Sequence, residues 1–273
     1  MSFSILNNIP ALGAENSLNA TQTALQKTLA QLASGQRINS GADDAAGLAI
    51  ANGLSANIAA LTQSGQNANS GIGSLQVADG ALAQVTTLLN RAVTLATQAS
   101  TGTVSSSQRN ALNAEYTQIT AEIDRIGTTT TYNGTSVFTA STTSIYLTDA
   151  QSSSTITSSG GVLSSSGLGL GSTVLTGTDG TSAQTALTAI NSAIQTIATD
   201  RGTIGAAVNR LQDAAAVISN QVQNLTAAEN AIMAADIPTV VSNLSRQSVL
   251  AQTGMAALAQ ANSQEQSVLT LLH

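Results

Sequence analysis

The sequence predicts a mainly α fold: long antiparallel, coiled-coil-like helical rods, a pair of terminal helices, and a small β-hairpin and loop insertion. Three observations predict it. Apolar residues recur at every seventh position along two separate stretches, as in a coiled-coil seam. The two ends of the chain share a composition that is apolar, amide-rich and nearly free of charge. One Ser/Thr/Gly-rich segment between the two stretches carries no helical periodicity. Composition also limits how such a fold is built. Of 273 residues 8% are charged, against roughly 25% in ordinary soluble domains. Aromatics are 2%, so the core must come from Ala, Leu, Ile and Val.

In chain order, Leu18, Leu25, Leu29 and Leu32 are spaced to share one face of a first helix. Ser34 and Gly35 end it, because Gly accepts a left-handed backbone without a Cβ clash, and Gly41 repeats that permission. Asp43 and Asp44 stand just before the apolar pattern resumes, where carboxylates cap a helix start and complement its dipole. Two adjacent Asp with no further oxygen ligands are poor cation spacing. The next stretch places Leu54, Leu61, Ala68, Leu75, Leu82, Leu89 and Ala96 seven apart, with Ile58, Ile72 and Val93 between them. A continuous helix from about Ala45 to Ala99 would be about 80 Å long. A third helix follows: Ser105 and Gln108 have capping-box spacing, Leu112, Tyr116, Ile119, Ile123 and Ile126 form its face, and Gly127 closes it.

From Gly127 to Gly180 only Asp149 and Asp179 are charged. Asn133-Gly134 suits a tight hairpin turn and "TSIYLT" alternates like a strand. The expectation is a solvated β and loop excursion on the outside of the molecule. A second seam then runs through Ile190, Ile197, Ile204, Leu211, Ile218, Leu225 and Ile232, with Leu187, Ile194, Val208, Ala215 and Val222 between them. Its span, about Ser182 to Ala235, matches the first rod in length, so the two can lie side by side. Arg201 and Glu229 fall on seam positions, where they pair or mark contacts beyond the monomer. Pro238 predicts a helix break before the last helical segment, Val240 to Leu272, whose apolar positions include Leu244, Leu250, Met255 and Leu258. The chain thus divides into paired terminal helices (1–40 and 236–273), a helical rod (41–127 and 181–235) and an excursion on the rod (128–180).

The residues exclude several functions. A net charge of −6, from 8 Lys+Arg against 14 Asp+Glu, lacks the basic footprint that nucleic acid requires. No cysteine is present, so disulfides and thiolate chemistry are excluded. The N-terminal residues lack the positive and apolar regions of a secretory signal, and no run of about 18 apolar residues supports a membrane span. His273, the sole histidine, is the last residue, so no catalytic or metal site and no cofactor is expected. "GLGLGS" at 167–172 has no following Lys and is read as a loop. Asn133-Gly134-Thr135 matches an N-glycosylation pattern by chance within a turn, and Glu122 with Arg125 is a local helix pair. Ends with so little charge are suited to burial against other copies of the chain in an open, head-to-tail assembly.

"LASGQRINSGADDAAGLAIA", at 32–51, resembles the N-terminal signature of bacterial flagellin. "NRAVTLATQAS", "LNAEYTQITAEIDRIG" and "YNGTSVF" resemble the stretches that follow it, and "IGAAVNRLQ", "NLTAAENAIMAAD" and "SVLAQTGMAALAQAN" the C-terminal half. The resemblance implies a structural protein exported unfolded through the flagellar type III apparatus. It would polymerise beneath a cap into the extracellular helical filament used for swimming. Implied partners are the chain itself as an open homopolymer, the cap, junction proteins and an export chaperone, with no nucleic acid or membrane. The terminal helices would form an inner tube, the rods a surrounding shell, and the break from Gly35 through Arg37 to Asp44 would join them. A host Toll-like receptor recognises flagellins on the rod; Arg91 and Glu115 match positions used there, while Thr94 replaces a glutamate, which implies weakened recognition. Gly53 and Gln36 also depart from the family pattern. The short middle implies a thin, smooth filament. The alternatives are a hook-filament junction protein and a secreted coiled-coil effector or adhesin.

Overall fold

The computed structural model describes residues 8–140, 143–147, 155–158 and 161–270, so His273 and Asp149 lie outside the described residues. The chain runs through α1 (Ile9–Ser34), α2 (Ala45–Ser100), α3 (Ser106–Thr129), β1 (Thr131–Tyr132), β2 (Thr135–Ser136), β3 (Thr143–Tyr146), β4 (Thr155–Ser158), α4 (Thr181–Met233) and α5 (Ile237–Thr270). It divides into two compact units, Met1–Ala56 with Asn224–His273, and Asn57–Gln223.

In the Asn57–Gln223 unit, α2 and α4 lie antiparallel. A Cβ on Gly65 would stand 3.6 Å from Ile218, one on Gly71 3.4 Å from Leu211, and one on Gly180 2.7 Å from the Ser100 carbonyl. Asp79 pairs with Arg201 between those levels. The buried positions of α2 step by three and four through Leu61, Ser64, Ala68, Gly71, Leu75, Ala78, Leu82, Val85, Leu89, Ala92, Ala96 and Ala99. Those of α4 run through Ala183, Ala186, Ile190, Ala193, Ile197, Ile204, Ala207, Leu211 and Ile218. The seventh-residue row is buried from Leu61 to Ala96 and from Ile190 to Ile218, while Leu54, Leu225 and Ile232 of that row are half-buried, and its second row differs from the expected one. Ile58, Ile72, Val93, Leu187, Ile194, Val208, Ala215 and Val222 are only half-buried. Ala, Gly and Ser, with the single exception of Val85 in α2, occupy the row between the large residues instead. Small residues there let backbones approach closely, so large and small layers interdigitate.

The N-terminus of α3 carries the capping box: Ser105 Oγ accepts from Gln108 N, and Gln108 Oε1 accepts from Ser105 N at 2.9 Å. Gly127 does not close the helix, which continues to Thr129. A Cβ at Gly127 would stand 1.9 Å from the Leu163 carbonyl oxygen, so glycine is required for close approach rather than termination. The β1–β2 hairpin turns at Asn133 (φ 50) and Gly134 (φ 77), the left-handed pair of the tight turn expected from sequence. Strands β3 and β4 pair antiparallel, Ile145 opposite Ile156.

The expectation of a solvated excursion needs correction for residues 163–178, which run as a strap antiparallel to α3. Asp124 accepts from Ser165 N at 2.7 Å and Ser165 Oγ at 2.8 Å. Tyr116 bonds Thr173, Asn113 accepts from Leu175 N, and Arg109 donates to the carbonyls of Gly177 and Thr178. Leu163, Leu170 and Leu175 are buried beneath it. Burying each leucine is worth roughly 1.5–3 kcal/mol, which a free loop would forgo. "GLGLGS" lies within this strap as a turn.

In the other unit, α1 and α5 pair antiparallel. Asn8 donates to the Ala261 carbonyl, Leu18 lies against Gly254, and Thr28 meets Gln247. Asn8 also caps α1 through Ala11 N, with Pro10 in the first turn, where its missing N–H costs nothing. Helix α4 ends at Met233 and α5 begins at Ile237, which places Pro238 in the first turn of α5. The predicted break is therefore present, just ahead of the proline.

Candidate assembly surfaces

The segment 35–44 links α1 to α2. Gly35 is left-handed (φ 69) and its N–H returns to the Gln31 carbonyl at 2.9 Å. Gly41 has no such conformation, so the second left-handed glycine expected from the sequence is absent. Arg37 reaches across to α4: Nη2 donates to the Ile232 carbonyl at 2.8 Å and its backbone N–H to the Met233 carbonyl at 2.7 Å. A cation on the last carbonyls of a helix satisfies free acceptors and offsets the negative end of the dipole. Gln36 and Ala234 form an antiparallel bridge beside it.

The two aspartates divide what the sequence assigned to them jointly. Asp44 caps α2, accepting from Gly47 N at 2.9 Å. Asp43 closes the preceding turn instead, accepting from Asn39 N and Ser40 N, and pairs with Lys27 of α1 at 2.7 Å. Lys27, foremost, and the Asn39 N–H hold the Asp43 carboxyl down to about 2. Ile38 is buried under the link, and a Cβ on Gly47 would stand 2.8 Å from its Cδ1. Lys27 is the chain's single lysine, and its partner lies on another element beyond the reach of local pattern.

The terminal helices leave much apolar surface uncovered. Leu18, Leu25 and Leu32 of α1, and Leu244 and Leu258 of α5, are half-buried on the shared seam. Leu29, Leu250 and Met255 are not on it: they are 46%, 50% and 53% exposed. Thr28 takes the seam place next to Leu29, its hydroxyl 2.7 Å from Gln247 Oε1 and 2.8 Å from the Ala24 carbonyl. Ile9, Leu12, Ile50, Ile237, Val241 and Val249 are exposed as well, whereas the buried hydrophobic residues of this unit are Ile38, Ala51 and Val240 among the described residues. Leu54 and Leu225, which the heptad spacing places on the rod seam, belong to this unit and are half-buried. The most apolar 18-residue window of α2 has mean hydropathy 1.3, long and apolar enough by composition to cross a membrane, and is only 17% buried.

On the other unit Arg91 of α2 and Glu115 of α3 form an exposed ion pair at 2.7 Å. Each side chain moves the other: Glu115 is held below its ordinary range and Arg91 above it. Thr94 turns its hydroxyl back onto the Asn90 carbonyl. Glu122 and Arg125 form the expected local pair, and Arg201, on the seam, pairs with Asp79. Leu61, Leu75, Leu82, Leu89, Ile190, Ile197, Ile204, Leu211 and Ile218 are all buried. Arg109, 2% exposed, and Asp124 carry no mark in the sequence, because Arg109 holds the Ala99 and Thr101 carbonyls together with two strap carbonyls, and Asp124 holds Ser165 of a strap with no periodicity.

Fold and surfaces together define an α-helical structural protein with its apolar terminal faces uncovered. Sequence models described as the bacterial flagellin N-terminal helical region and C-terminal helical region match residues 5–143 and 187–272. The chain is 35% identical to a flagellin of Halalkalibacterium halodurans, over 98% of this chain and 99% of that one. It is 32% identical to the flagellar filament 33 kDa core protein of Treponema phagedenis, with the same coverage. The crystal structure of Bacillus cereus flagellin aligns with TM-score 0.50 and 32% identity, covering 60% of this chain and 94% of that one. The chain belongs to the bacterial flagellin family and is a structural subunit of a flagellar filament.

Proposed function

We propose that the terminal helices, residues 1–40 and 236–273, bury their exposed faces against further copies and form the inner tube of an open helical homopolymer. Residues 41–127 and 181–235 form the surrounding rod layer, and 128–180 lie upon it. The observation that carries this reading is the inverted burial of the terminal unit, where Leu12, Leu29, Val249, Leu250 and Met255 face outward and few hydrophobic residues are enclosed. Exposed apolar surface of that kind marks a site of protein–protein contact. A head-to-tail contact that does not close gives a filament.

The protein acts outside the cell as part of the flagellum, reached by unfolded export, with cap, junction proteins and chaperone as partners and no enzymatic activity of its own. A cysteine-free chain suits that route, since no disulfide has to form or be reduced. The link at Gly35, Arg37, Asp43 and Asp44 joins the tube helix to the rod helix. The Arg91–Glu115 pair is the host Toll-like-receptor surface, with Thr94 in place of an anion weakening recognition. A reporter-cell assay with potency equal to a strong flagellin agonist would contradict that last point.

The test of assembly is electron microscopy after seeding or salting-out, comparing the full chain with a variant lacking residues 1–40 and 236–273. Long tubes from the first and none from the second are expected. Discrete particles from both would mean a junction protein or secreted effector.

A further inference from the structure

A cavity of about 360 Å³ lies within the Asn57–Gln223 unit, between α2, the β1–β2 hairpin and β3. Two of the chain's three tyrosines, Tyr132 and Tyr146, line it, and none of its lining residues is charged. Tyr146 is 63% exposed. Gly73 gives Tyr132 room to lie over the helix: a Cβ there would stand 3.1 Å from the tyrosine oxygen. Thr62 and Thr86 of α2 turn their hydroxyls back onto the carbonyl four residues earlier. Ser70 and Ser74, on the cavity side, form no such bond, and Ser144 and both tyrosine hydroxyls likewise have no hydrogen-bond partner among the described residues.

The site therefore offers aromatic faces beside a set of unused donor–acceptor hydroxyls, with no net charge. Phosphate or nucleotide would find no cation, and a divalent metal would find no carboxylate or imidazole. A purely apolar guest would leave the hydroxyls dry and unpaired, at a cost of about 1–3 kcal/mol each. A pyranose has the matching surface: one face of C–H groups for the negative face of a tyrosine ring, and a rim of hydroxyls that donate and accept. The cavity's volume is within the range of small-molecule sites. We propose that this cavity binds a neutral saccharide, a property that stands whether or not the chain polymerises.

The experiment uses the full monomeric chain and four neutral trisaccharides built of glucose, mannose, galactose or N-acetylglucosamine. Binding is read by saturation-transfer NMR and by tyrosine fluorescence. No tryptophan masks the emission, and the third tyrosine, Tyr116, is buried at 2% exposure. At least one sugar is expected to give a saturable response that Tyr146→Ala weakens about tenfold, the scale of losing one stacking platform. Ser74→Ala should weaken it less, and helicity should be unchanged in both. No saturable response to any of the four, or a response that Tyr146→Ala leaves intact, overturns the proposal. So does a concentration-dependent dimer that Tyr146→Ala dissolves while no sugar competes, because the occupant is then a second copy.

Discussion

Replacing Arg109 with Met tests how far the strap over α3 depends on one buried cation. The guanidinium is 2% exposed and donates to four carbonyls: Ala99 at 2.8 Å, Thr101 at 3.0 Å, Thr178 at 3.1 Å and Gly177 at 3.3 Å. Ala99 lies in the last turn of α2, so the charge sits at the negative end of that helix. Hydrogen bonds from a charged donor are each worth about 1.5–3 kcal/mol net, and dehydrating the guanidinium costs several kcal/mol in return. Met fills much of the volume but leaves the Ala99, Gly177 and Thr178 carbonyls without this donor, while Thr101 keeps the Val104 N–H. At about 1–3 kcal/mol per orphaned acceptor, less the recovered dehydration cost, the net loss is about 3–5 kcal/mol. At 2–4 °C per kcal/mol the melting temperature falls by about 10 °C. Circular dichroism of the monomer, in heat and in urea, measures this. Arg109→Lys keeps the charge with fewer donors in a less rigid array and should recover part of the loss. A loss below about 1 kcal/mol for Arg109→Met would refute the reasoning, since the carbonyls would then be satisfied without it.

Gly127→Ala should destabilise by about 1–3 kcal/mol because its Cβ would strike the Leu163 carbonyl, whereas Gly80→Ala, with open space around it, should stabilise by about 0.5–1 kcal/mol; urea unfolding ranks the two. Asp43, with its carboxyl at about 2 against an ordinary 3.8, stabilises the link fully above about pH 4, and the contribution is lost as pH falls through about 2. Carboxyl NMR titration should place its inflection near that value in the native chain and move it toward 3.8 in Lys27→Met; an unmoved inflection would dismiss the ion pair as its main cause. Leu250→Ser combined with Met255→Ser should leave monomer unfolding within about 0.5 kcal/mol, since both side chains are exposed. The same double change should raise the concentration needed for polymer to pellet, and unchanged pelleting would remove these residues from the assembly face.

The long helices were legible because their periodicity is sustained, and the hairpin because Asn133-Gly134 demands left-handed backbone that few other pairs accept. What the pattern concealed was the small-residue row. Reading the seam by large apolar residues selects Ile58, Ile72 and Val93, but burial follows the three-four step through Ser64, Gly71, Ala78 and Ala92. The same bias placed Leu29 on the α1 seam, where Thr28 is buried at 5% exposure and satisfied by Gln247 and its own helix. The strap was illegible for a different reason. Its order comes from bonds of its backbone to Asn113, Asp124 and Arg109 of α3 and of the Thr173 hydroxyl to Tyr116, and a sequence shows the polar side chains without showing what they hold.

The two units solve the shortage of charge and aromatics in opposite ways. Residues 57–223 have enough helix and strap to enclose Leu82, Leu89, Ile123, Leu175 and Ile197 completely, so their stability is internal. The terminal helices have one seam between them, much of it alanine-sized, and the contact at Thr28 and Gln247 is polar. Arg37 on the end of α4, and Lys27 on Asp43, hold that unit's link without adding apolar burial. Ordering a residue costs about 1–2 kcal/mol of backbone entropy, so a helix pair with few enclosed side chains has little surplus. In the assembly proposed above, covering Leu29, Leu250 and Met255 with another copy would supply the missing burial and stabilise the terminal helices by mass action.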